Sequence, residues 1–300
     1  MSLRANLIRF GLRTVLKVTA RTGVSLVAVR RHFARMDRVI PRPPRGTTTI
    51  ALDAGGVPAD SIATAASRGD RHVLYLHGGA YHVGSPALYR DFTWRVADAA
   101  RARVLCIDYR LAPEHPFPAA VDDAIAAYRW LLDGGATPAQ VVFMGDSAGG
   151  GLTFAALMRL RDEGAPLPTA AVAISPWTDL ALTGESLRGN AAAEPMLAVK
   201  ILPPAVAHYL AGADPRHPYA SPLYGNPAGL PPTLILTGSD DVLLDDAVRM
   251  ADAMRAAGCD VVAEVWPRMF HAWPLLARVL PEGRAALARI GAFLDRRLQA

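Results

Sequence analysis

The feature that most limits what this 300-residue chain can fold into is a repeated change of hydrophobic period. Short apolar runs recur at HVLYL (72–76), RVLCIDY (103–109), QVVFMG (140–145), AAVAISPW (170–177), TLILTG (233–238) and DVVAEVW (260–266). Longer segments with helical spacing separate or follow them: 119–133, with Val121, Ile125, Tyr128, Leu131 and Leu132 on one side, then 149–164, 245–257 and 282–298. Short runs bounded by turn residues read as buried strands, and apolar positions three and four apart read as one face of a helix. Strands that alternate with helices need crossover connections, so the chain is predicted to form a mostly parallel sheet with helices on both faces, an α/β fold.

Ahead of this pattern, TTTIALDAGGVPADSIAT (47–64) reads as two short strands joined at Gly55–Gly56, a hairpin. PRPPRG (41–46) reads as a linker. Residues 178–232 interrupt the alternation with a Pro-, Gly- and Ala-rich stretch that has modest helical character near 195–211. The predicted division is an N-terminal helical cap segment, 1–45, and one α/β catalytic domain, 46–300, with a cap insertion at about 178–232.

Half of the residues (51%) are hydrophobic and 20% are charged, which suits a soluble globular chain with a large core. No apolar stretch of about 18 residues runs free of charge, so no transmembrane helix is predicted. Arginines interrupt every candidate signal-peptide core, so no cleaved leader is expected. Cys106 and Cys259 stand too far apart to suggest a disulfide framework or a zinc site, and a reducing, cytoplasmic setting is expected.

The charge is unevenly placed. Residues 1–45 hold eleven Lys and Arg against one acid, Asp37, whereas the whole chain is only +5. Arg9, Arg13, Lys17 and Arg21 recur every four residues and lay a basic stripe along a helix, with Leu7, Leu12, Val15, Leu16 and Leu26 offering apolar contact. Two readings stay open. The segment packs on the protein and leaves a solvated basic face, or it makes a peripheral contact with anionic membrane lipid. Nucleic acid is not expected as a partner, because no aromatic-and-basic cluster or nucleic-acid motif accompanies the stripe. A homodimer is left open.

GDSAGG (145–150) follows the run QVVFMG and precedes a helical segment. Strand, tight turn and helix are the context in which a G-x-S-x-G pattern presents a nucleophilic serine. Gly145 and Gly149 permit the sharp turn, and the helix N-terminus aims free N–H groups and a partial positive charge at the serine. Ser147 needs a base, and the base needs an orienting carboxylate. In this architecture the chain order is Ser, then Asp or Glu, then His. His208, His217 and His271 follow Ser147; the first two lie in the insertion, whereas His271 sits in PRMFHAW just after the last strand. His271 is therefore the candidate base. TGSDDVLLDD (237–246) follows the strand TLIL and offers Asp241 as the acid, with Asp240 as runner-up. Asp245 and Asp246 suit the first turn of the next helix. HGGAYHVGS (77–85) follows HVLYL and can turn backbone N–H groups toward a carbonyl oxygen as it gains charge, with the N–H of Ala148 as a further donor. His77 reads as a brace for that loop.

Together these segments resemble the hormone-sensitive lipase family of α/β-hydrolases, in its bacterial esterase branch with the GDSAG elbow. HGGAYHVGS, YRLAPEHPFPAA (109–120), GDSAGGGL, DDVLLD and HAW span residues 77 to 273 in the family's order. The resemblance implies an α/β-hydrolase fold with a helical cap and hydrolysis of carboxylic esters through an acyl-enzyme, with no metal or cofactor. It implies Ser147 as nucleophile, Asp241 as acid and His271 as base, with oxyanion donors at Gly78, Gly79 or Ala80, and Ala148. Small-molecule esters of short- to medium-chain acids are the expected substrates; lactone hydrolysis by the same triad, or a membrane-associated lipase, is the alternative.

Three departures stand out. Ala80 replaces the family's usual third glycine and can serve if its φ is negative. Val242 and Leu243 follow Asp241 where Pro-Leu is common, and Ala272-Trp273 follow His271 where Gly-Phe is common, so Trp273 is expected to narrow the pocket. In YRLAPEHPFPAA, three prolines stiffen the loop, and a pairing of Arg110 with Glu114 is expected to hold it. Met196, Leu197, Ile201, Leu202, Tyr209, Phe10, Leu12 and Val15 are candidates for the cap core or the acyl pocket.

Overall fold

The computed structural model describes residues 2, 4–6, 8, 9, 11, 12, 26–36 and 39–298. Leu7, Phe10, Arg13, Val15, Leu16, Lys17 and Arg21 lie outside the described residues, and with them the basic stripe apart from Arg9. The order of elements is α1 (Leu26–Met36), β1 (Thr48–Asp53), β2 (Pro58–Ala63), β3 (His72–Leu76), α2 (Pro86–Ala100), β4 (Arg103–Ile107), α3 (Ala119–Asp133), β5 (Val141–Asp146), α4 (Ala148–Asp162), β6 (Ala170–Ile174), α5 (Ser186–Gly189), α6 (Leu202–Leu210), β7 (Thr233–Gly238), α7 (Leu244–Ala256), β8 (Val261–Trp266) and α8 (Pro281–Arg297).

The strands form one sheet in the order β1-β2-β4-β3-β5-β6-β7-β8. The β1–β2 hairpin joins antiparallel to β4, and every pairing from β4 across to β8 is parallel. The central strands read as uninterrupted apolar runs because both of their faces are covered. Along them the side chains alternate between two clusters. Leu74, Leu76, Phe143, Ala171, Ala173 and Ile235 meet side chains of α3, α4 and α7. Val73, Tyr75, Val142, Met144, Val172, Leu234 and Leu236 meet those of α2 and α8.

Helix α2 is absent from the periodic segments named above. It starts at once after the Gly-rich loop, capped by Ser85, whose Oγ accepts the Leu88 N–H at 3.3 Å, with Pro86 in its first turn. Its buried face is small, made of Phe92, Val96, Ala97 and Ala100 beside Thr93, which dilutes the apolar signal. The helical stretch expected near 195–211 is shorter in the structure. Pro203 and Pro204 lie in the first turn of α6, where their missing N–H groups cost nothing.

One packing expectation is corrected. Arg110 pairs with Asp123 at 2.7 Å rather than with Glu114, and Glu114 takes Arg30 at 2.6 Å. Trp273 is fully buried in the cluster against α8, its ring 5.6 Å from that of Trp266. Of the apolar candidates, Leu202 and Tyr209 join the α3–α4–α7 cluster and Leu197 packs against it, while Met196 and Leu12 pack against the other. Ile201 faces solvent. Among the described residues, no helix is long and apolar enough to cross a membrane.

Candidate active site

The turn from β5 into α4 holds Ser147 in a strained conformation, φ 54° and ψ −121°. Outside glycine such a backbone costs about 1–3 kcal/mol and persists only where the surroundings dictate it. Here they do. The Ser147 N–H donates to the Ile174 carbonyl at 2.9 Å, and its carbonyl accepts the N–H groups of Trp177 at 2.9 Å and Gly151 at 3.0 Å. A Cβ on Gly149 would stand 1.9 Å from the Leu76 carbonyl oxygen, and one on Gly145 would stand 2.2 Å from the Gly149 carbonyl oxygen. Side chains are excluded at both positions because β3 and α4 pass this close.

At the ends of β7 and β8, two loops bring an acid and a base together. His271 Nδ1 lies 3.1 Å from Asp241 Oδ1 and 3.2 Å from Oδ2. Asp241 is fully buried, and its Oδ1 also accepts the Leu243 N–H at 2.8 Å. Asn190 grips the same turn through the carbonyls of Asp241, at 2.7 Å, and Ser239, at 3.1 Å. Asp240 points elsewhere, into an ion pair with Arg9 at 2.6 Å. The base loop is held by its own backbone: the His271 N–H donates to Glu194 Oε2 at 2.8 Å and the Ala272 N–H to Ser175 Oγ at 3.0 Å. Burial opposes a charge on His271, but Asp241, with Glu194 and Asp146 nearby, outweighs it and raises the imidazole above its ordinary value.

The loop after β3 faces the elbow. The Gly78 N–H is already spent on Asp146 Oδ1 at 3.0 Å, which removes Gly78 from the expected donors. The N–H groups of Gly79, Ala80 and Ala148 have no acceptor among the described residues. Asp146 also accepts the hydroxyls of Tyr75, at 2.7 Å, and Tyr89, at 3.0 Å. Burial raises its carboxyl, and these three donors offset part of the rise. The negative φ set as the condition for Ala80 is not met: its φ is +55°, and that of Tyr81 is +60°, yet the Ala80 N–H keeps no acceptor among the described residues. Alanine is strained there and glycine is not. Ala80→Gly is therefore expected to stabilise the fold by about 1 kcal/mol, read as a rise in Tm of about 2 °C.

His77 is fully buried, its Nδ1 2.8 Å from the Gly78 carbonyl and its ring stacked on Tyr109 at 4.3 Å. Burial pushes it down to about 4, so it stays neutral and braces the loop. His208 lies on α6 with its ring 5.0 Å from that of His82, and His217 Nδ1 accepts the Tyr219 N–H, so neither joins Asp241. Within the loop, Tyr81 stacks on Tyr209 of α6, with ring centroids 3.7 Å apart and planes within 6°, and Trp177 adds its ring at 6.3 Å from Tyr81. Among the described residues, no three His, Cys, Asp or Glu side chains are grouped to hold a metal ion.

A family model described as the α/β-hydrolase fold matches residues 73–275. A crystal structure of an esterase from the bacterial hormone-sensitive lipase family matches with a TM-score of 0.94 at 43% identity, covering 100% of this chain and 99% of that one. This chain belongs to the hormone-sensitive lipase family of α/β-hydrolases. The hydrolase is also 50% identical over 252 residues to an acetyl-hydrolase of Streptomyces hygroscopicus, covering 84% of this chain and 83% of that protein. It is 34% identical over 286 residues to an esterase of Acinetobacter venetianus, covering 93% of each.

Four further residues of this hydrolase's site carry roles that pattern reading passes over: Asp146, Ser175, Asn190 and Glu194. Asp146 stands inside the quoted motif, and its place beside the serine is a signal that was there to use. Ser175 follows β6 directly. Asn190 and Glu194 come from the insertion, where no motif marks them.

Proposed function

We propose that this ester hydrolase works through Ser147 as nucleophile, His271 as general base and Asp241 as the orienting acid. The observation that carries the reading is the buried Asp241 carboxylate on His271 Nδ1, in a chain that also holds a serine on a strained strand-to-helix turn. With Nδ1–H bound to Asp241, His271 Nε2 is the basic nitrogen. It takes the Ser147 proton as Oγ attacks the ester carbonyl. The oxygen of that carbonyl gains charge and is met by the N–H groups of Gly79, Ala80 and Ala148, each donor of this kind contributing about 3 kcal/mol. The imidazolium then protonates the leaving alcohol, and water activated by the same nitrogen releases the acid.

The proposed substrates are short- to medium-chain acyl esters. Trp177, Tyr81 and Tyr209, all buried, crowd the space beside the elbow and the oxyanion loop, which suits a short acyl chain better than a long one. The acetyl-hydrolase relative points the same way. The test is a panel of p-nitrophenyl esters from acetate to palmitate, run beside Ser147→Ala. Hydrolysis is expected to peak at short or medium chains and to fall by about 10⁴-fold or more in the variant. Equal activity in both proteins would remove Ser147 from the mechanism. A peak at long chains would favour a lipase. Inert protein on every ester would direct the search to lactones.

A further inference from the structure

Glu194 joins the insertion to the base loop. It is 4% exposed, and its two oxygens serve different parts of the chain. Oε2 accepts the His271 N–H at 2.8 Å. Oε1 accepts the N–H of Met196 at 2.6 Å and of Leu197 at 3.3 Å. The neighbouring Ala193 carbonyl is bound by Arg9 at 2.9 Å, and the same guanidinium holds the Arg268 carbonyl at 2.6 Å and the Asp240 carboxylate at 2.6 Å. Insertion, base loop, acid turn and N-terminal segment thus meet around His271.

Neutral acceptors can satisfy three backbone N–H groups. A buried carboxylate is a costly choice for that task unless its charge has a partner. The charged and titratable groups that face it are Asp241 on the acid turn, His271 on the base loop and Arg9 with its partner Asp240. Asp146 acts on His271 from the end of β5.

We propose that Glu194 is a positioning residue for the base: it fixes the backbone of His271 from the insertion, and its negative charge favours the imidazolium formed during acyl transfer. This rests on the reading of His271 as the base. Burial and the charge of Asp241 push the Glu194 carboxyl up to about 7, offset in part by His271 and the bound N–H groups. Protonation makes the hydroxyl oxygen a weaker acceptor, so the tether is strongest with the carboxylate ionised. Removing the charge lowers the imidazole pKa and moves the acid limb of kcat/KM to lower pH.

The experiment compares Glu194→Gln and Glu194→Asp with the unchanged protein. In Glu194→Gln the amide nitrogen opposes an N–H donor, and kcat is expected to fall about tenfold with KM nearly unchanged. The acid limb should move to lower pH in Glu194→Gln and stay in place in Glu194→Asp, which keeps the charge. The second readout is the NMR titration of the His271 imidazole in a Ser147→Ala background, with and without Glu194→Gln. It needs no turnover, so it stands even if the ester panel fails. A lower midpoint with glutamine supports the proposal. An unmoved midpoint overturns it, even with a reduced kcat, because Glu194 would then be scaffold alone. If the glutamine variant does not fold, Glu194→Ala in the Ser147→Ala background takes its place: a lower His271 midpoint supports the proposal, and an unmoved one overturns it.

Discussion

Asp241→Asn is expected to lower kcat by about 10⁴-fold at neutral pH, while Asp240→Asn stays within a few-fold of the parent. The two aspartates are adjacent, and their surroundings separate them. Asp241 is fully buried, with both oxygens within 3.2 Å of His271 Nδ1. An asparagine there keeps the shape and the Leu243 contact, but it no longer requires the proton to sit on Nδ1. The imidazole can then turn its N–H toward Ser147 and lose the basic nitrogen. The imidazolium also loses the charge that stabilises it. Asp240 is 20% exposed and its carboxylate pairs with Arg9 rather than with His271, so losing its charge leaves the imidazole tautomer unchanged. Steady-state kinetics on p-nitrophenyl butyrate, with circular dichroism to confirm folding, will separate the two. Equal losses at both positions would mean that the acid has been assigned to the wrong carboxylate.

Gly149→Ala is expected to cost more than about 3 kcal/mol of stability and to remove most activity. The added methyl would stand 1.9 Å from the Leu76 carbonyl oxygen and 2.6 Å from that of His77. Both obstacles are backbone, one in β3 and one opening the oxyanion loop, so no side-chain rotation relieves the clash. Either α4 moves away from β3, displacing Ser147 and the Ala148 N–H, or the loop moves and displaces the other donors. Gly69→Ala is the control, since a methyl there meets nothing within 4 Å. Thermal unfolding of the two variants should differ by many degrees. A Gly149→Ala protein as stable and active as the control would mean that the elbow tolerates more room than its geometry implies.

The parts legible in the sequence are those that rest on local rules. Both faces of the central sheet are covered, so its strands are short unbroken apolar runs. Helix α3 covers 119–133, as its apolar spacing predicts. The parts that were not legible depend on contacts between distant segments. Helix α2 buries a stripe too small to show as a period. The Gly78 N–H, which the loop sequence offers as a donor, is taken by Asp146, 68 residues away. Arg110 finds Asp123 across a turn instead of Glu114. Glu194 reaches His271 from 77 residues upstream, and nothing in the composition of the insertion marks it. Chain order pointed to the Asp240–Asp241 turn and to His271 because the α/β-hydrolase order Ser, acid, base is itself a rule about sequence, but it could not separate the two adjacent aspartates, and the packing of Trp273 follows no such rule.

The stack of Tyr209 on Tyr81 has a consequence for redesign. Tyr81 directly follows Ala80 in the oxyanion loop, and Tyr209 belongs to the insertion. Substitutions in α6 made to admit a larger acyl group will therefore shift the donors that stabilise the reacting carbonyl. Under the proposed mechanism, substrate range and turnover rate share one mechanical joint, and widening the first without loss of the second calls for a compensating change on the Tyr81 side of the stack.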